Sequence, residues 1–233
     1  MSAIFALFDG LDRAAPGDAD SLRRAVALAG TPPGAAVLDA GCGTGADLAA
    51  LAAAVPGARI VAVDTAPAFV ARVWAAHPGV RAEVADMADP PGGPYDLIWS
   101  AGAVYNIGIT AALRAWRAHL APGGRVAFSQ LGWRVAEPPA AAREFWAADG
   151  AVLTEAAGIT AEVAAAGWRA IGAFWLPEAA WAAYYEPLAR HLDTLAGEAG
   201  EMAGLVAHFR AEIALWRAHG ACYGFRMVVA EPA

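Results

Sequence analysis

The sequence predicts an α/β protein built on a doubly wound, mostly parallel sheet, and three observations carry that expectation. Strand-length apolar runs alternate with helix-forming stretches over most of the chain, the pattern that sets parallel strands side by side with helices on both faces. In Val37–Leu51, VLDAGCGTGADLAAL, a short buried-strand run leads through Gly41, Gly43 and Gly45 into helix formers. Glycines let the backbone approach a ligand, and the free N–H groups of a helix start face it. Three successive strands end in aspartate, Asp39, Asp64 and Asp86, and ligands of such sheets lie beyond the carboxyl ends of the strands.

The elements follow in order. Residues 1–34 form an N-terminal helical cap, with a helix over Ala19–Ala29 capped by Asp18 or Asp20 and broken by Thr31-Pro32-Pro33-Gly34. Strands are expected at Ala35–Leu38, Arg59–Val63, Val80–Ala85, Tyr95–Ser100, Arg125–Leu131, Trp168–Leu176 and Cys222–Ala230. Helices are expected at Asp47–Val55, Pro67–His77, Ile109–Leu120, Pro139–Ala148 and Leu153–Ala166, closed by proline or glycine. Glu178–His219 is mostly helical, interrupted near Pro187 and around Gly197–Gly204. Residues 177–220 are therefore expected as a helical lid inserted between strands six and seven of a single 1–233 domain.

Bulk properties narrow the function. A length of 233 residues suits one domain with a sizeable core, and 58% hydrophobic residues argue against disorder. The best charge-free window, Leu97–Leu113, is broken by polar residues and glycines, short of the ~20 apolar residues a membrane helix needs. The N-terminus lacks the basic start and cleavage site of a secretory signal, so the expected location is the cytoplasm. A net charge of −7 and scattered arginines argue against a nucleic-acid partner. Cys42 and Cys222 make no disulfide framework, and neither has a companion at metal-ligand spacing, so no metal site is expected.

The glycine loop admits two cofactors. Gly41-Cys42-Gly43-Thr44-Gly45-Ala46 satisfies the dinucleotide pattern G-x-G-x-x-[GA], which keeps an NAD-linked oxidoreductase open as the alternative. Asp39 favours a different ligand: a carboxylate at the turn repels a pyrophosphate and attracts the ammonium and sulfonium of S-adenosylmethionine. Asp64 stands at the spacing where an acid meets ribose hydroxyls. Asp86 and Met87 would flank the adenine, the acid at its amine and the thioether on its face.

Val37–Leu51, with Asp64, Asp86 and the Tyr95–Ser100 strand, resembles a class I S-adenosylmethionine-dependent methyltransferase. Ile98-Trp99-Ser100-Ala101-Gly102-Ala103-Val104-Tyr105-Asn106-Ile107-Gly108 is similar to a W-S-E-G-A-I-Y-N-I-G run in a bacterial small-molecule-type subgroup. Leu176-Pro177-Glu178, Trp181, Tyr184-Tyr185 and Pro187 are similar to the same subgroup, as is Tyr223-Gly224-Phe225. The resemblance implies a seven-stranded sheet with an antiparallel last strand and methyl transfer to a small molecule. The implied cofactor site is Asp39, Gly41, Cys42, Gly43, Thr44, Gly45, Asp64, Thr65, Asp86, Met87 and Ser100. Departures are Ala101 and Gln130 where the subgroup has glutamates, and Arg13–Asp18, which keeps only part of an R-Q-G-P-G-S loop. They leave open a protein that binds the cofactor without turnover.

Methyl transfer asks the protein mainly to hold a nucleophile in line with the methyl carbon. A base is needed only where the acceptor must first lose a proton. Tyr105 and Asn106, just after the fourth strand, are the candidate cleft contacts; a packing tyrosine beside a turn-forming asparagine is the competing reading. Tyr105 and His191 are the catalytic candidates. Trp133, Trp175, Trp181 and Tyr184 would wall a substrate pocket with Tyr105 and Asn106, unless they only pack the insert onto the sheet. Asp89-Pro90-Pro91 precedes the fourth strand, so it is not the D-P-P-Y motif by which other methyltransferases grip a nucleobase amine. The expected assembly is a monomer or homodimer.

Overall fold

The computed structural model describes residues 3–233. A seven-stranded sheet holds β1 (Ala36–Ala40), β2 (Arg59–Asp64), β3 (Arg81–Val84), β4 (Tyr95–Ser100), β5 (Leu120–Trp133), β6 (Trp168–Trp175) and β7 (Tyr223–Pro232) in the order β3-β2-β1-β4-β5-β7-β6. The first five strands pair in parallel, and β7 runs antiparallel between β5 and β6. The expected fold class is met, the inverted last strand included.

Both sheet faces are covered, because successive strand residues point opposite ways and both sets are apolar. Val37 and Leu97 pack with Leu22, Leu51 and Val73 from α2 (Ala19–Ala29), α3 (Leu48–Ala54) and α4 (Pro67–Ala76). Leu38, Ile98 and Phe128 pack with Leu113, Trp116 and Val163 from α5 (Ile109–Trp116) and α7 (Ala156–Ala165). Asp18 is the cap of α2: its Oδ1 accepts from the Ser21 N–H at 2.8 Å and its Oδ2 from the Ser21 hydroxyl at 2.7 Å. Gly30, in the left-handed conformation at φ 61°, ends that helix.

Beyond the strand ends lie α1 (Ala3–Leu7), α6 (Ala140–Ala148), α8 (Glu178–Thr194) and α9 (Glu201–His219). Phe8, just after α1, meets Tyr184 of α8 and Phe209 of α9, with ring centroids 6.4 and 5.5 Å away. Several boundaries differ from expectation. α8 continues through Pro187; an interior proline costs ~3 kcal/mol, and burial of Tyr184, Tyr185, Leu188 and Leu192 around it outweighs that. The break falls at 195–200, and Gly204 lies inside α9. Leu153–Glu155 is extended because the Trp133 N–H donates to the Thr154 carbonyl at 2.9 Å, which delays α7. β5 likewise runs on to Trp133, paired with Tyr223 of β7.

Candidate active site

The loop after β1 is shaped by the end of β2. Gly41 and Cys42 both donate their N–H groups to the Val63 carbonyl at 2.9 Å. The Gly43 N–H donates to Asp64 Oδ2 at 2.9 Å, and Asp64 Oδ1 accepts from the Ala66 N–H at 2.9 Å. Gly41 has φ +79°, and a Cβ there would come within 2.6 Å of the Ala103 Cβ, so only glycine fits this turn. Burial first, then Asp39 and Asp64, pushes the Cys42 thiol far up, so it offers no thiolate at neutral pH.

A cavity of about 500 Å³ opens over this loop. Asp39, Gly41, Cys42, Gly43, Thr44, Asp64, Thr65, Asp86, Met87, Tyr105 and Asn106 all line it. Two implied cofactor residues do not. Ser100 is fully buried and donates its hydroxyl to the Ala40 carbonyl at 2.7 Å, tying β4 to β1. Gly45 faces α4, where a Cβ would meet Val73 at 2.9 Å.

Asp47 and Arg13 also line this cavity, and sequence reasoning assigned neither a role. Arg13 forms an ion pair with Asp47 Oδ1, and the buried Trp99 indole donates to Asp47 Oδ2 at 3.0 Å. Thr44 donates its hydroxyl to the Asp12 carbonyl at 2.7 Å, so residues 12–17 lie directly over the glycine loop. The available signal was Arg13 in the partly kept R-x-x-P-G loop. Asp39 is 3% exposed. Burial holds its carboxyl well above the usual range, the charges of Asp47 and Asp64 add to that, and Arg13 opposes them.

A second cavity of about 900 Å³ adjoins the first, and Phe8, the Ala14–Pro16 turn, Gly102 and Tyr105 line both. Trp181 and Tyr184 line it as expected, with Trp146, Phe209 and Phe225. Trp133 and Trp175 line neither cavity. Trp133 sits edge-on to Tyr223, with centroids 6.4 Å apart, and Trp175 stacks with Arg226 at 5.4 Å, because both follow the sheet outward past the cleft. His191 also lines neither; its Nε2 is buried on α8.

The histidine that lines the second cavity is His208 of α9. Its Nε2 lies 3.3 Å from Asp149 and 3.7 Å from Glu212, one helical turn on. Glu212 also accepts the Tyr185 hydroxyl at 2.5 Å. Burial pushes the Glu212 carboxyl up to about 7; the Tyr185 hydrogen bond opposes the rise and Asp149 reinforces it. The i,i+4 His–Glu spacing was visible in the sequence, but nothing there told a cavity-facing pair from a solvated one.

Residues 37–124 match the family described as "Methyltransferase domain". Over that segment the chain is similar to methyltransferase domains. Identity of 38% over 132 residues links the chain to a malonyl-[acyl-carrier protein] O-methyltransferase of Dechloromonas aromatica, covering 52% of this chain and 48% of that protein. A trans-aconitate 2-methyltransferase of Deinococcus radiodurans is 37% identical over 98 residues, 41% of this chain and 37% of its own. These matches span about half or less of the curated relatives' length. Over the whole chain, the fold is that of a SAM-dependent methyltransferase from Geobacter sulfurreducens solved with S-adenosyl-L-homocysteine, at TM-score 0.80 and 18% identity, covering 100% of this chain and 99% of that one.

The smaller cavity holds residues that fit S-adenosylmethionine. Four carboxylates line the smaller cavity, Asp39, Asp47, Asp64 and Asp86, with Arg13 the one Arg or Lys among its described lining residues. That donor set suits ribose hydroxyls, an adenine amine and cationic groups. It is hostile to a pyrophosphate, and the Gly43 N–H that would bind one is already engaged by Asp64. The dinucleotide alternative loses its anion site.

Proposed function

We propose that the chain transfers a methyl group from S-adenosylmethionine to a small molecule held in the larger cavity. The observation that carries this reading is the adjacency of an acidic cleft on the glycine loop and an aromatic cavity sharing the walls at Gly102 and Tyr105. When bound, the donor supplies a methyl group whose bonding electrons stay with sulfur. Asp64 keeps free lone pairs for ribose hydroxyls, Asp86 and Met87 flank the base, and Asp39 faces the cationic end. Residues 3–18 and the α8–α9 pair act as cap and lid, keeping water from the junction where the acceptor meets the methyl group.

The related proteins are named for methyl transfer onto malonyl-acyl-carrier protein and trans-aconitate, which supports a small-molecule-type acceptor. Among the described residues no helix is long and apolar enough to cross a membrane. The location proposed is the cytoplasm, and the assembly proposed is a monomer or homodimer. Calorimetric titration tests the assignment. S-adenosylhomocysteine should bind and NADH should not; the reverse outcome rejects it. Release of labelled methyl onto a metabolite panel separates a working enzyme from a silent binder.

A further inference from the structure

The larger cavity carries information about the acceptor. Its charged lining groups are Asp149, Glu162, His208 and Glu212: three carboxylates, one imidazole and, among the described residues, no arginine. The sequence holds sixteen arginines and no lysine, so an arginine would have to supply any strong cation here. Trp181, Tyr184, Phe209 and Phe225 supply apolar faces suited to an aryl group and to a cation over a ring.

Resting on the methyl-transfer reading above, we infer that the acceptor is an arylalkyl amine that enters as its ammonium ion, its ring among Trp181, Tyr184 and Phe209 and its charge at Asp149 and Glu212. The anionic lining attracts this charge state and repels a carboxylate. Glu212 takes the ammonium proton, and its elevated proton affinity suits that task. The nitrogen lone pair so freed forms the N–C bond, and the C–S pair stays on sulfur. His208 and Tyr185 position the Glu212 carboxylate from opposite oxygens.

The test uses three shape-matched probes on the full chain saturated with S-adenosylhomocysteine: 2-phenylethylamine, 2-phenylethanol and 3-phenylpropionate. By isothermal titration the amine should bind at least about tenfold more tightly than either other probe, a difference of about 1.4 kcal/mol. Glu212→Gln, which keeps an acceptor for Tyr185, and Asp149→Asn should each erode that preference while leaving S-adenosylhomocysteine affinity in place. Equal or tighter binding of the alcohol or the acid overturns the inference. So does absence of amine binding at millimolar concentration, or a preference that neither variant moves. Failure of S-adenosylhomocysteine to bind the wild type would instead overturn the cofactor reading.

Discussion

Replacing Glu212 by Gln should stabilise the protein above neutral pH and leave it nearly unchanged in acid. The side chain is 12% exposed, and its carboxyl is raised from 4.5 to about 7, chiefly by burial. Between those values the folded protein holds a proton that the unfolded chain releases, so stability falls as pH rises through that window. The penalty is full above about 7 and absent below 4.5. A shift of this size corresponds to about 3 kcal/mol, at about 1.4 kcal/mol per pKa unit. Gln cannot ionise, and its carbonyl still accepts the Tyr185 hydroxyl, so the variant escapes the penalty without orphaning Tyr185. Urea unfolding of both proteins from pH 4.5 to 8.5 measures the difference. It should grow from near zero to about 3 kcal/mol in favour of the variant and then level off. A difference flat across that range, or one growing toward acid, would refute the claim that a buried carboxylate is held there at a cost.

Other expectations follow from the cofactor cleft. Asp64→Ala removes the acceptor of the Gly43 and Ala66 N–H groups and the ribose ligand together, so S-adenosylhomocysteine affinity should fall about 10- to 100-fold by calorimetry; unchanged affinity rejects the role of Asp64. Gly41→Ala places a Cβ 2.6 Å from Ala103 in a left-handed turn, and should cost about 1–3 kcal/mol in thermal unfolding with weakened cofactor binding. Asp47→Ala leaves the buried Trp99 indole unpaired and frees Arg13 from the loop; a loss of about 3 kcal/mol is expected, and Trp99→Phe should recover part of it in the double variant. An unshifted melting temperature in Asp47→Ala would show that this link carries no stability.

The sheet was legible because its signal is local. β1, β2 and β4 carry the apolar runs Val37-Leu38, Ile60–Val63 and Leu97–Trp99, and the glycine loop with its following aspartates marks where β1 and β2 end. Asp39, Asp64, Asp86 and Met87 could be placed for the same reason: a residue at the end of a parallel strand reaches the cleft whatever covers it. Ser100 misled by the same rule, since its short hydroxyl is taken by the neighbouring strand at Ala40. The apolar environment around Pro187 overrode a local breaker that sequence alone reads as a stop.

The amino-acid order by itself determined the α/β alternation, the glycine turn and the acidic strand ends, because each depends on neighbours a few residues apart. Only the tertiary structure decided which histidine meets the cavity, which tryptophans wall it, and that Arg13 and Asp47 clasp across 34 positions. Those outcomes depend on how α1, α6, α8 and α9 settle over the sheet edge. The helix period fixes which residues share a face, but not which face turns inward. His191 and His208 differ in just that respect, and packing around Phe8, Tyr184 and Phe209 makes the choice.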